Sequence, residues 1–303
     1  VTGVQTCALP IYQINQLYEA GIDFIKIYEL VSPDVFNAMV ATARQLDLPI
    51  AAHVPLSMKA GDAGPQVNSM EHLRNIEIAC ADNADQLHLE RTSVLTEPGN
   101  RSGYELRSHL HSTQRPIALA SAALESEQCQ QVIRSLQDTI QVPTLRLNTI
   151  SRFPPDQRPD WTDKLKTLPD AVVAEWLETA RFFAARPSEL GNRMSDWSLA
   201  LVKAMQQADV PIGAGTDTPI GQAIPGYSLH TELERLVDAG LSPLQAITAA
   251  TIKPAAFFKL ERSLGQIKPG MEADLVLLDA DPLLDIRNTR TIVAVISDGQ
   301  RVR

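Results

Sequence analysis

Four residues in this sequence are of types that bind metal ions or move protons, and each sits in or at the end of a short run that reads as a strand. They are Lys26 in Phe24-Ile25-Lys26-Ile27-Tyr28, His53 in Ile50-Ala51-Ala52-His53-Val54, His72 in Asn68-Ser69-Met70-Glu71-His72, and Asp217 in the stretch 210–218. Neutral imidazole and carboxylate are good zinc ligands. A lysine ammonium, with a pKa of about 10.4, is not. Addition of carbon dioxide to the amine changes that, because the carbamate is a carboxylate on a long stem and can bridge two cations. Two ions roughly 3.5–4 Å apart can share a hydroxide, since metal binding lowers the pKa of water towards about 7. An acid such as Asp217 can take the proton and pass it to a leaving group. The chemistry open to this set is hydrolysis with two divalent ions, zinc first among them. Arg74, two residues past His72, is a candidate clamp for a substrate carboxylate, because a guanidinium grips one bidentately. Singly, each residue has an ordinary structural reading; the ordered set points to a site.

These side chains need strands that deliver them to one end of a sheet. Residues 12–20 read as a helix closed by Gly21, and 22–28 as a strand by their β-branched and aromatic content. Ser32-Pro33 opens a helix in which Val35, Met39, Val40, Ala43 and Leu46 recur at helical spacing, and Pro49 opens the next strand. That is a strand–helix–strand unit, the signature of a parallel sheet, whose functional end is the carboxyl end. Residues 68–72, 141–147 and 210–217 are expected as further strands. In the last, Pro211, Gly213, Gly215 and Asp217 would share a face. The polar, helix-prone stretch 74–139 reads as a helical insertion at the mouth of the domain, where it would form a lid. Residues 152–170 read as loop, with helices at about 171–185 and 195–208. Leu229, Leu233, Leu236 and Val237 line a helix ending at Gly240, and Ser242-Pro243-Leu244-Gln245 is a capping box. From Gly265 the period becomes two, predicting strands at 273–278 and 291–296.

The chain has 303 residues and a formal charge of −9, which argues against nucleic acid or an anionic membrane surface as partner. The expected partner is a small molecule or dipeptide; a homo-oligomer is compatible. No apolar run approaches the roughly 20 residues of a membrane helix. Cys7, Cys80 and Cys129 are widely spaced and are expected to form neither a disulfide framework nor a zinc knuckle. Residues 1–11 resemble the translation of a short-read sequencing adaptor and are set aside from fold reasoning. The expectation is that a native N-terminus, with three further strands, precedes this chain, which leaves the compartment open.

In order, Phe24-Ile25-Lys26-Ile27-Tyr28, Ala52-His53-Val54-Pro55, Met70-Glu71-His72, Gly215-Thr216-Asp217-Thr218, Ser228-Leu229-His230-Thr231-Glu232-Leu233 and the tail Gly265-Gln266-Ile267 with Ala273-Asp274-Leu275-Val276-Leu277-Leu278-Asp279 resemble the amidohydrolase superfamily. The nearest branch is imidazolonepropionase-like and Xaa-Pro dipeptidase-like. The resemblance implies an α/β fold: a partial (β/α)8 TIM barrel, about strands four to eight, over residues 12–260, and a small β-sandwich portion over 261–303. It implies Lys26 as a carboxylated bridging lysine, His53 and His72 as ligands, and Asp217 as ligand and general base. Tyr227 and His230 would line the substrate pocket. The implied reaction is hydrolysis of an amide or peptide-like bond, in a dipeptide or N-acyl amino acid, by metal-bound hydroxide. The alternatives are a cyclic amidase and a mononuclear deaminase, although deaminases of this superfamily generally do without the bridging lysine. One departure stands out: no His-x-His of strand one precedes Lys26, so the chain alone is expected to be inactive. His109-Leu110-His111 lies in polar context and, like His88, is expected to be ordinary insertion surface.

Overall fold

Strand β1 (Ile25–Ile27) alternates buried, exposed, buried, so that Ile25 and Ile27 enter the core while Lys26 points the other way. The computed structural model in which this is seen describes residues 8–303, and the chain divides into two units: 1–142 with 207–211, and 143–206 with 212–303. Part of the adaptor-like stretch, with Cys7, lies outside the described residues; Ala8 already begins the first helix.

In the first unit α1 (Ala8–Glu19), β1, α2 (Pro33–Gln45), β2 (Ile50–Ala52), α3 (Ala60–Ala63) and β3 (Ser69–Glu71) follow in turn. Then come α4 (Ile76–Ala79), α5 (Ala84–Thr96), α6 (Gly103–Ser121), α7 (Glu127–Ser135) and β4 (Ile140–Val142). The strands form one parallel sheet in the order β1-β2-β3-β4. Helix α2 starts as its sequence predicts: Ser32 accepts from the amide of Val35, and Pro33 takes the first turn. Its face of Val35, Phe36, Val40 and Ala43 is buried, and each large apolar side chain so placed contributes about 1.5–3 kcal/mol. Residues 76–135 carry the helices α4 to α7, joined by short turns. Ile78, Ala81, Leu87 and Ala118 form one cluster, and Leu106 and Leu110 of α6 pack on Leu56, three residues past His53.

In the second unit the helices are α8 (Leu145–Asn148), α9 (Trp161–Leu165), α10 (Asp170–Ala184), α11 (Glu189–Gln207), α12 (Tyr227–Asp238), α13 (Pro243–Ala250) and α14 (Ile252–Phe257). Strands β5 (Leu275–Leu278), β6 (Ile292–Ser297) and β7 (Gln300–Arg301) make a separate antiparallel sheet. The capping box of Ser242 and Gln245 forms with both of its bonds. Among the described residues no helix is long and apolar enough to cross a membrane.

Three expectations need correction. The fourth strand stops at Val142, because Thr144 turns left-handed (φ 49°) and α8 begins directly after it. The stretch 210–217 builds no ladder: one bond, Gln141 N to Pro211 O at 2.8 Å, reaches the edge of β4. Proline has no N–H to return a bond, and glycines weaken a strand. Cys80 and Cys129, 49 residues apart, are joined in a disulfide that ties the end of α4 to α7; helix packing brings together what sequence spacing kept apart.

Alkylation of the unfolded, unreduced protein should therefore label only Cys7 of the three cysteines. Reduction should lower the unfolding free energy by about 2–4 kcal/mol. Labelling of all three thiols before reduction would contradict the link.

Candidate functional site

Lys26, inside β1, and His53 and His72, the first residues past β2 and β3, come together on the parallel sheet. Backbone bonds run on past the strand ends: His53 N donates to Ile27 O at 3.0 Å, Leu56 N to Glu29 O at 2.8 Å, and His72 N to Val142 O at 2.7 Å. After β3 the chain turns left-handed at His72, Leu73 and Asn75 (φ 64°, 56° and 63°). Each such residue costs of order 1–3 kcal/mol. Asn75 helps to hold the turn, its Nδ2 donating to Val54 O at 3.1 Å. The rings of His53 and His72, both buried, meet edge to face with centroids 4.9 Å apart. Register puts Lys26, Ala51 and Ser69 in one row across the sheet. Alanine in the middle leaves Lys26 Nζ 4.0 Å from Glu71 Oε1, which also accepts from Ser69 Oγ at 2.7 Å.

Sequence reasoning missed the residue at the centre, Glu29, whose side chain is 1% exposed. Its Oε1 lies 3.0 Å from His53 Nδ1 and 3.5 Å from Arg74 Nε. Its Oε2 lies 2.7 Å from His111 Nε2 and 2.9 Å from Arg107 Nε. Burial alone would raise this carboxyl's pKa. The hydrogen bonds of His111 and His53, with the charge of Arg74, outweigh it and hold Glu29 far below the ordinary carboxylate range.

The tautomers follow from that charge. An ionised carboxylate only accepts, so His53 carries its proton on Nδ1. Burial holds the pKa of His53 below its ordinary value against the pull of Glu29, so the ring is neutral and Nε2 keeps a lone pair. That Nε2 is buried and has no hydrogen-bond partner. Burial, with the positive charges of Arg74 and Lys26 around it, pushes His72 down to about 2, so it too is neutral. An imidazole that gives one N–H to a carboxylate and leaves the other nitrogen open is the usual form of a metal ligand. Among the described residues no three His, Cys, Asp or Glu side chains are grouped to hold an ion. The two imidazoles therefore fit a metal only with a further donor, and Lys26 is the neighbour that a carbamate would turn into one.

His111 is not insertion surface. It is buried on α6, and its Nδ1 accepts from Arg115 Nη2 at 3.1 Å, while Arg115 Nε donates to Glu77 at 2.9 Å. Arg107, His111 and Arg115 recur every four residues and so form one stripe on the helix. That spacing was the available signal. Arg74, the proposed clamp, already has an internal counter-charge in Glu29.

Asp217, Tyr227 and His230 belong to the second unit. Asp217 is exposed in a left-handed turn (φ 52°) rather than at a strand end. Its loop is braced by Arg146, which donates to the carbonyls of Thr216, Ile220 and Gly221 at 2.9, 2.7 and 2.6 Å. Arg146 is anchored in turn where Glu232 accepts the amides of Leu145 and Arg146 at 2.9 and 2.7 Å. Tyr227 packs with Trp161, Leu165 and Ile224, and its hydroxyl accepts from Arg158 at 3.3 Å. His230 Nδ1 lies 2.9 Å from Thr289 Oγ1, and burial followed by the charge of Arg290 pushes its pKa down to about 4.

Residues 161–303 match the model of the amidohydrolase family. An adenine deaminase of Paracoccus denitrificans is 41% identical over 83 residues, 27% of this chain and 13% of that protein. An imidazolonepropionase of Ralstonia nicotianae is 28% identical over 149 residues, 46% of this chain and 35% of that protein. Among solved structures, a bottromycin amidohydrolase superposes with a TM-score of 0.67 at 22% identity, covering 100% of this chain and 60% of its own. A Xaa-Pro dipeptidase with bound methionine in its active site gives 0.57 at 20%, covering 99% and 59%. The chain thus spans only part of each of these proteins. The resemblance to the amidohydrolase superfamily is borne out.

Replacing Glu29 by Gln should cost about 3–5 kcal/mol of unfolding free energy at neutral pH, because buried cations lose their counter-charge. The folded pKa of Glu29 is depressed, so its contribution is complete above the unfolded value of about 4.3 and is lost as the pH falls below it. Urea denaturation of wild type and Glu29→Gln should show a gap that narrows with acidification. A gap unchanged from neutral to strongly acid pH would contradict this.

Proposed function

We propose that this chain, whose residues 161–303 carry an amidohydrolase-family segment, is a metal-dependent hydrolase of carbon–nitrogen bonds in small substrates. A dipeptide or N-acyl amino acid is the favoured substrate class. The observation that carries the reading is His53, with Nδ1 held by the Glu29 carboxylate and a buried, unpartnered Nε2. Support comes from His72 as a second neutral imidazole 4.9 Å away, and from the fold shared with the solved amidohydrolase and dipeptidase. The parallel sheet is read as part of a (β/α)8 barrel on the same ground.

His53, His72 and a carboxylated Lys26 would hold divalent ions, zinc by the chemistry of the donors. When bound, such ions polarise a carbonyl and lower the pKa of water. The chain's own part is to keep both imidazoles neutral and to fix the ring of His53. A carbamate on Lys26 would stand beside the Glu71 carboxylate, so carboxylation and cation binding should be linked. Asp217 is assigned proton transfer to the leaving nitrogen by the family pattern, with Tyr227 and His230 as substrate contacts. Arg74 as a carboxylate clamp must compete with Glu29. The matches to an adenine deaminase and an imidazolonepropionase keep deamination and cyclic-amide hydrolysis as second readings; Lys26 speaks against the first.

Metal content and product release test the proposal together. Zinc retained after dialysis should rise with added bicarbonate and should fall several-fold in Lys26→Ala and in His53→Ala. In a panel of dipeptides, N-acyl amino acids, lactams and adenine, tested on the chain completed with the N-terminal strands of the family pattern, His-x-His included, the first two should release free amino acid. Zinc content unchanged in both variants would overturn the ligand assignment; ammonia from adenine alone would replace hydrolysis of peptide-like bonds by deamination.

A further inference from the structure

A cavity in the first unit has a volume of about 370 Å³ and is lined by none of Lys26, Glu29, His53 or His72. Its rim carries exposed Lys59 and Asp85, paired at 2.5 Å, and exposed Asp62. Its buried lining is Arg91 and Asn75, each 2% exposed, with apolar Ile78 and Ala84.

Arg91 is the unusual feature. Its Nε donates to Gln114 Oε1 at 2.7 Å, a neutral partner, and its Nη2 is buried without a hydrogen-bond partner. The neighbouring acids Glu77 and Glu29 act on it only as charges, and Arg115 opposes them. Burial holds the guanidinium down to about 10, still fully charged at neutral pH. A buried guanidinium whose only bonded partner is an amide lacks the counter-anion that burial of a charge calls for. Asn75 adds the complementary group: its Nδ2 is bonded to Val54 O, and its Oδ1 is buried without a donor. Two residues of the lining thus each hold an unpartnered polar atom, one a cationic donor and one a neutral acceptor, beside an apolar floor.

We propose that this cavity binds a small carboxylic acid with a hydrogen-bond donor on its α-carbon, an α-amino or α-hydroxy acid. The carboxylate would take Arg91 Nη2, the α-donor would reach Asn75 Oδ1, and a short apolar side chain would lie on Ile78 and Ala84. A guanidinium recognises a carboxylate as a planar fork, and the donor–acceptor pair sets the orientation. The acids Asp62 and Asp85 at the rim disfavour a multiply charged anion such as phosphate. The inference does not require the hydrolase reading, because the residues are separate from those of the proposed metal site.

Isothermal titration calorimetry of the whole chain with alanine, lactate, propionate and inorganic phosphate tests it. Alanine and lactate should bind at least threefold more tightly than propionate, which lacks the donor, and phosphate should not bind. Arg91→Met should weaken alanine binding at least tenfold. Because Arg91 is buried and its loss can unfold the segment, Ala84→Leu provides a second variant: it narrows the cavity at a helical position and should abolish binding while thermal melting shows a folded chain. No binding of alanine or lactate, tighter binding of phosphate, or affinity unchanged in a folded Arg91→Met or in Ala84→Leu would overturn the proposal.

Discussion

The Glu29 carboxylate is the constraint around which the first unit is arranged. A buried anion persists only where donors surround it, and Glu29 has His53 and Arg74 on one oxygen and His111 and Arg107 on the other. Those donors come from three places in the chain: the ends of β2 and β3, and helix α6. One carboxylate therefore ties the sheet to the helical segment that follows His72. It also determines which nitrogen of His53 is protonated, and so which lone pair is left open. Stability and the chemistry of the site rest on the same charge.

The helices 76–135 take on a clearer role from this. They are held to the sheet side by Leu106 and Leu110 on Leu56, and closed on themselves by the Cys80–Cys129 link. Their polar stripe of Arg107, His111 and Arg115 faces Glu29 and Glu77 instead of solvent. The second unit uses the same device. Glu232 accepts two amides at the start of α8, and Arg146 then gathers three carbonyls of the loop that carries Asp217. Glu234 is shared by Arg158 and Arg290. In both units buried acids do the positioning, each on a different set of cations or amides.

The strands around Lys26 and before His53 were legible because β-branched and small apolar residues bounded by Gly21 and Pro49 leave few alternatives. The helix starts at Ser32 and Ser242 were legible for a local reason, a side chain bonding an amide three residues on. What was not legible depends on contacts distant in sequence. Nothing near Glu29 announces that His111, 82 residues later, will bond it. Polar composition around His111 suggested surface because the residues that bury it lie elsewhere. The apolar run at 210–217 looked like a strand, but Pro211 withholds the donor a ladder needs and Asp217 adopts a left-handed turn. The pairing of Cys80 with Cys129 was hidden by their separation.

The central claim is that an ionised Glu29 fixes His53 as the Nδ1–H tautomer and leaves Nε2 as a free lone pair. Nitrogen-15 NMR of the histidine side chains in the metal-free protein, with His53 assigned by comparison with His53→Gln, tests this directly. The account predicts a protonated Nδ1 and an unprotonated Nε2 for His53 across neutral pH. A His53 ring that is protonated on Nε2, or on both nitrogens, at neutral pH would contradict it.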